Sequence, residues 1–259
     1  MKQSPLFSRV ETSQSYFDET EHASFKGVTI KTIILLLIAA GIAAVTAFAL
    51  PAIIKNNLTP FYIILVIASI LGFISAIAGR ISDRAAKYWS VIYSICEGLF
   101  LGTITRIAEE FLPGAGIIAI SATLIIFAVM LLLYSNGIIK VNKFYMRVVI
   151  AMTICLLFLV ISTLIISLVM YSQMSANETI SSIGFTTYLW MMIGIEAFLL
   201  IYGVITLALN FEEANQVVKN GCSKSAEWSV ALGMEISLIY IYIEIIRLII
   251  YIAILSRKD

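Results

Sequence analysis

The chain is short of the residues that carry most catalysis and most cross-linking. Its 259 residues include one histidine, three cysteines and four prolines. The histidine, His22, lies in a polar N-terminal stretch, so a histidine-assisted serine, cysteine or zinc site within the apolar part of the chain is excluded. Cys96 and Cys155 sit inside apolar runs and Cys222 in a polar loop, which gives neither a disulfide framework nor a metal-ligand spacing. No Walker-type phosphate loop is visible, and the last apolar run has no lysine for a retinal Schiff base. With no nucleophile–base set and no cofactor motif, an enzyme is disfavoured and no cofactor is expected. Charge is scarce as well: Asp, Glu, Lys and Arg make up 13% of the chain, against about a quarter in a soluble domain. The net charge of +1 argues neither way about nucleic acid, and none is expected as a partner. What is abundant is apolar surface. A 61% hydrophobic chain with a mean hydropathy of +1.00 reads as a polytopic membrane protein whose first partner is the lipid bilayer.

Runs of about 20 apolar residues recur, each long enough to cross a bilayer. They fall at about 29–50, 61–79, 88–108, 115–136, 146–171, 184–209 and 228–255. Backbone groups in lipid must be satisfied internally, so the expected fold is all-α, with seven transmembrane helices over residues 28–259 behind a polar tail of residues 1–27. Expected breaks lie at Pro51 with Asn56-Asn57, Arg80 to Lys87, Pro113-Gly114, Asn136 to Lys143, Gln173 to Glu178, and Asn210 to Glu227. The tail has no apolar core, so no cleavable signal peptide is expected. Of the 17 Lys and Arg residues, 12 fall in the tail, at its edge or in the second, fourth and sixth loops. That bias predicts a cytoplasmic N-terminus, and seven crossings then put the C-terminus outside. Two sequons, at Asn57 and Asn177, fall on the outer side of this arrangement.

The costliest run is the last. Between Trp228 and Leu255 it carries Glu235, Glu244 and Arg247. Each charge costs about 2.5–3.5 kcal/mol at a helix centre, while each Leu or Ile returns only about 0.3–0.6. The run's 14 Leu and Ile residues therefore roughly offset three charges, and such a helix belongs inside a bundle rather than against lipid. Steps of three and four link Gly233, Ser237, Tyr240, Glu244, Arg247 and Tyr251 into one stripe, on which Glu244 and Arg247 can meet. Glu235 points to nearly the opposite face. The third run holds Glu97 near its middle, beside the close-packing step Gly98–Gly102. The sixth holds Glu196 among apolar neighbours, with Glu212 and Glu213 at its end. Each has a structural reading too: Glu244–Arg247 as a neutralised pair, Glu97 as a hydrogen-bonding acid, Glu196 as packing, Glu212 and Glu213 as a solvated helix end. The functional reading is that intramembrane carboxylates bind protons and hard cations such as Ca²⁺, without a high-affinity metal cluster.

Several segments together resemble the bacterial branch of the Bax inhibitor-1 family: Ser4-Pro5-Leu6-Phe7-Ser8-Arg9, Lys31-Thr32, Glu97-Gly98-Leu99-Phe100-Leu101-Gly102, Asn220-Gly221 with Glu227-Trp228, and Ile241-Tyr242-Ile243-Glu244-Ile245-Ile246-Arg247-Leu248. The resemblance runs from the tail to the last helix. It implies seven helices with the seventh central among two groups of three, in a bacterial plasma membrane. It also implies a pH-sensitive Ca²⁺ leak associated with stress or cell-death control. The family's pH sensor is a carboxylate pair. One member maps onto Glu244, and the other onto Glu212 or Glu213, since two alignments of Asn210 to Gln216 differ by one step. Both positions are Glu where the better-known pattern has Asp. A basic latch from the second helix maps onto Arg80 or Arg84, and Arg247 would modulate Glu244 from the same face. Glu235 and Glu196 match no role in that pattern. The rival expectation is a non-conducting membrane regulator that acts through protein partners and uses its tail and the loop 210–227.

Overall fold

A computed structural model describes residues 22–56, 59–174 and 181–256. The motif Ser4–Arg9, the sequons at Asn57 and Asn177 and the terminal Arg257-Lys258 lie outside these residues. Seven helices follow one another: α1 (Phe25–Asn56), α2 (Thr59–Ile81), α3 (Ala86–Phe111), α4 (Ala115–Ser135), α5 (Lys143–Met174), α6 (Ser181–Lys219) and α7 (Ala226–Ser256). Among the described residues six of them, all but α5, are long and apolar enough to cross a membrane. The shortest, α4, has 21 residues, which at 1.5 Å per residue is about 32 Å, the thickness of a hydrocarbon core. The chain is an all-α integral membrane protein.

Two expected breaks are present but narrower than expected. Pro51 lies inside α1, which ends only at Asn56. Proline removes one helix hydrogen bond, to the carbonyl of Ala47, but leaves the rest of the ladder intact, and membrane helices tolerate the interruption. The polar stretch after Asn210 is helix as well, because α6 continues to Lys219 and the connection to α7 shrinks to residues 220–225. The cause is amphipathicity: Phe211, Ala214 and Val217 recur at three-residue steps and are all buried, while Glu212, Glu213 and Gln216 share the other face. A connection this short is closed by Gly221, whose φ of 61° lies in the left-handed region.

The helices divide into two compact units. The first unit holds the described residues up to Ile107 together with Leu209–Ile239, and the second holds Ala108–Ala208 with residues from Tyr240 onward. In the first unit α1 and α3 touch backbone to backbone. A Cβ on Gly98 would meet Ile42 and the carbonyl of Ala39, and one on Gly102 would meet Thr46 and the carbonyl of Ala43. The expected close-packing step is therefore an α1–α3 contact. Gly102→Leu is expected to cost about 1–3 kcal/mol or more through overpacking, read as a lower Tm in detergent. Gly41→Ala, with nothing within 4 Å of its new methyl, should instead gain up to about 1 kcal/mol of helix propensity.

The second unit is tied by side chains. Glu109 accepts from the backbone N–H groups of Gly114 (2.7 Å) and Gly116 (3.0 Å), capping the start of α4. Tyr145 on α5 donates to the carbonyl of Ile205 on α6 at 2.6 Å, and Thr153 meets the Tyr202 hydroxyl at 3.1 Å. Gly203 lets the ring of Tyr240 lie against α6, edge-on to Tyr202 with centroids 6.2 Å apart. Helix α7 differs from the others in its burial. From Ser229 to Ile246 most of its side chains are buried all round, whereas α2 and α4 expose Phe73, Ile77, Ile117 and Leu124 on wide apolar faces. Glu235 and Glu244 are 0% and 1% exposed, as the unfavourable insertion balance of this helix requires.

Candidate functional site

The polar residues singled out in the sequence fall into three groups, each contained in one unit. In the second unit, Glu244 on α7 and Glu196 on α6 are both buried and share one guanidinium. Arg247 Nη1 lies 3.5 Å from Glu244 Oε1 and 3.7 Å from Glu196 Oε2. The shared guanidinium brings the two acids into one cluster. Glu244 Oε2 is buried without a hydrogen-bond partner, and Glu196 Oε2 is buried with only the long approach of Arg247 against it. The Tyr240 hydroxyl is buried one helical turn before Glu244. Two carboxylates beside one guanidinium carry a net charge of −1 when both are ionised, and one added proton brings the cluster to neutrality.

In the first unit, Arg80 near the end of α2 bridges two helices. Its Nη2 lies 2.7 Å from Glu213 Oε2 on α6, and its Nη1 donates to the carbonyl of Ser229 on α7 at 3.0 Å. Gly233 makes room for this guanidinium, and Asn210 donates to Ser237 at 2.6 Å alongside. Its neighbour Glu212 accepts from Gln216 at 2.9 Å. Of the two basic candidates, Arg80 meets Glu213 of α6, and Arg84 lies in the turn between α2 and α3. Glu213 and Glu244 belong to different units, and each has its ion-pair partner within its own.

The same unit holds Glu235 and Glu97. Ser94 Oγ lies 2.6 Å from Glu235 Oε1, and the Tyr93 hydroxyl donates to Glu97 one turn along α3. A separate ion pair sits where the chain enters α1: Lys31 Nζ is 2.6 Å from Glu227 Oε2, and Glu227 Oε1 accepts from the Ser24 backbone N–H at 2.7 Å. Lys31 also lies over the ring of Trp228, 5.1 Å from its centroid.

Sequence reasoning missed two of these contacts. Glu196 shows no polar stripe on its own helix, so nothing pointed it at Arg247. Glu227 entered only as part of a motif with Trp228, and its partner lies 196 residues away. The only available hint was that Lys31 and Glu227 both stand in segments that carry the family resemblance. Among the described residues no group of three His, Cys, Asp or Glu side chains is arranged to hold a metal ion.

Comparison with curated proteins and with solved structures gave no match. The family model for Bax inhibitor 1 like proteins, in contrast, matches residues 4–254 and so takes in α3 with Glu97–Gly102, the α6–α7 connection and α7 with Glu244 and Arg247. By that match the chain belongs to the Bax inhibitor 1 like family.

Proposed function

We propose that this chain is a pH-sensitive Ca²⁺ leak, gated by protonation at Glu244. The observation that carries the reading is the cluster Glu244–Glu196–Arg247, in which two buried acids of two helices meet at one half-exposed base. Holding one proton, the cluster is neutral and its acids bind each other, which keeps α6 and α7 in contact. Losing it, the cluster gains a negative charge that low dielectric cannot screen; the acids repel and the contact loosens. The released carboxylates offer hard oxygen ligands suited to Ca²⁺. Flux therefore rises with pH. Glu244 is the sensor in this scheme, Glu196 the carboxyl that faces it, and Arg247 the group that sets how easily the proton leaves. The ion pair Arg80–Glu213, with the Ser229 carbonyl, acts as a latch that holds α2, α6 and α7 together.

The lysine and arginine bias of the loops supports a cytoplasmic N-terminus, seven crossings of a bacterial plasma membrane and an external C-terminus. The burial of α7 supports a seventh helix set centrally. Reconstituting the purified chain in liposomes around a trapped Ca²⁺ dye and varying pH tests the reading.

One observation favours a second role, that of a non-conducting regulator acting on a membrane protein partner in stress or cell-death control. The segment His22–Ser24 is docked on the α6–α7 connection. Ala23 N–H donates to the Cys222 carbonyl at 2.8 Å, His22 Nδ1 lies 3.0 Å from the Gly221 carbonyl, and Ser24 binds Glu227. The tail therefore departs from beside the loop that a partner would touch. Deleting residues 1–21 spares this docking. A leak should keep its liposome flux after the deletion, whereas a regulator should lose its effect in cells.

A further inference from the structure

Among the described residues Glu235 is the most deeply buried acid, and it has no part in the gate. Its residue exposure is 0%, and its Oε2 has no hydrogen-bond partner. Its Oε1 lies 2.6 Å from Ser94 Oγ, and that same hydroxyl oxygen lies 3.0 Å from the carbonyl of Ser90. A serine hydroxyl has one proton, and a backbone carbonyl can only accept. If the Ser94 proton goes to Ser90, as serine commonly does one turn back along a helix, the proton between Ser94 and Glu235 has to come from Glu235.

The electrostatic surroundings agree. The titratable groups of α3 that face Glu235 are Glu97 and Tyr93, and the Tyr93 hydroxyl is taken by Glu97. Arg80 of α2, beside Gly233, is held by Glu213 and the Ser229 carbonyl. Asn210 of α6, which meets Ser237, is neutral. An ionised Glu235 would place an unpartnered charged oxygen in a fully buried site beside a second acid. A neutral acid leaves there only an unpaired carbonyl oxygen, which costs far less.

We infer that Glu235, with Ser94 and Glu97, forms a second proton-binding site in the first unit, and that Glu235 holds its proton at neutral pH. The ligand is the proton itself. The acid is the donor to Ser94, Ser94 is the donor to Ser90, and Glu97 is the neighbouring acid on α3. Helix α7 thus carries one permanently neutral acid at Glu235 and one that changes state at Glu244, nine residues apart and in different units.

Infrared difference spectroscopy of the full chain in lipid tests this without reference to ion flux, so its failure and the failure of the leak reading are separate results. At neutral pH the spectrum should contain a carboxylic-acid carbonyl component that Glu235→Gln removes and Glu244→Gln leaves in place. Ser94→Ala, which withdraws the acceptor, should shift the frequency of that component while keeping it in the acid region. The Ser94 variant also stands in should Glu235→Gln fold poorly. An acid-region spectrum unchanged in both Glu235→Gln and Ser94→Ala, or a response to either confined to the ionised-carboxylate region, would overturn the inference.

Discussion

Glu244→Gln should abolish the pH dependence of Ca²⁺ release from liposomes and hold the flux at its low, acidic-pH level. Gln matches the shape of a protonated Glu and cannot lose a proton. The variant therefore keeps one carboxylate, Glu196, opposite one guanidinium, Arg247, at every pH, and the cluster stays neutral. In the unaltered chain a single-proton gate can change the open population by up to about tenfold per pH unit around its midpoint, because one unit is worth 1.36 kcal/mol. The flux ratio between the two ends of such a titration should fall to about one in the variant. Glu196→Gln should flatten the profile in the same way, since either acid alone balances Arg247. A Glu244→Gln profile that still rises with pH would remove the sensor from this position.

Removing Glu227 should produce the largest loss of stability. Its side chain is 1% exposed and answers three donors: Lys31 Nζ at 2.6 Å, the Ser24 N–H at 2.7 Å and the Ser24 hydroxyl at 3.2 Å. Glu227→Ala leaves a Lys31 ammonium, itself only 13% exposed, without its counter-charge. Breaking a buried pair from one side costs about 3–5 kcal/mol, since the remaining charge recovers little solvent. For a chain of this size that corresponds to a Tm lower by roughly 6–20 °C in a detergent melt. Glu227→Gln should recover part of the loss, because it keeps an acceptor for Ser24. A cost below about 1 kcal/mol for Glu227→Ala would mean that the pair is solvated and marginal.

The helices were legible because a bilayer permits little else. A run of 20 apolar residues fixes its own hydrogen bonding, and α4 falls within one residue of the expected 115–136. Helix ends were less legible. At Pro51 and after Asn210 the sequence carries residues that usually stop a helix or face water, yet the chain continues helical: one interrupted bond was affordable at the first, and the buried row Phe211, Ala214 and Val217 decided the second. Contacts along one helix were legible in the same local sense, since Glu244 and Arg247 lie three residues apart and meet. Contacts between helices were not. Nothing in the spacing of Glu196, Glu213 or Glu227 names Arg247, Arg80 or Lys31, because inter-helix partners are set by packing angles that no single-chain periodicity encodes. The step Gly98–Gly102 shows the boundary well: the sequence announced a close approach, and the structure supplied α1 as the helix that makes it.

The three thiols are placed so unequally that the chain needs no cysteine engineering to be labelled selectively. Cys155 is exposed on an apolar helix, where a lipid-soluble reagent reaches it, and Cys96 is shut inside the first unit. Cys222 is 1% exposed, and its carbonyl accepts from Ala23 at the place where the tail joins α1. A water-soluble thiol probe thereby becomes a native reporter on the α6–α7 connection, with its reaction rate at Cys222 measuring how often that buried site opens.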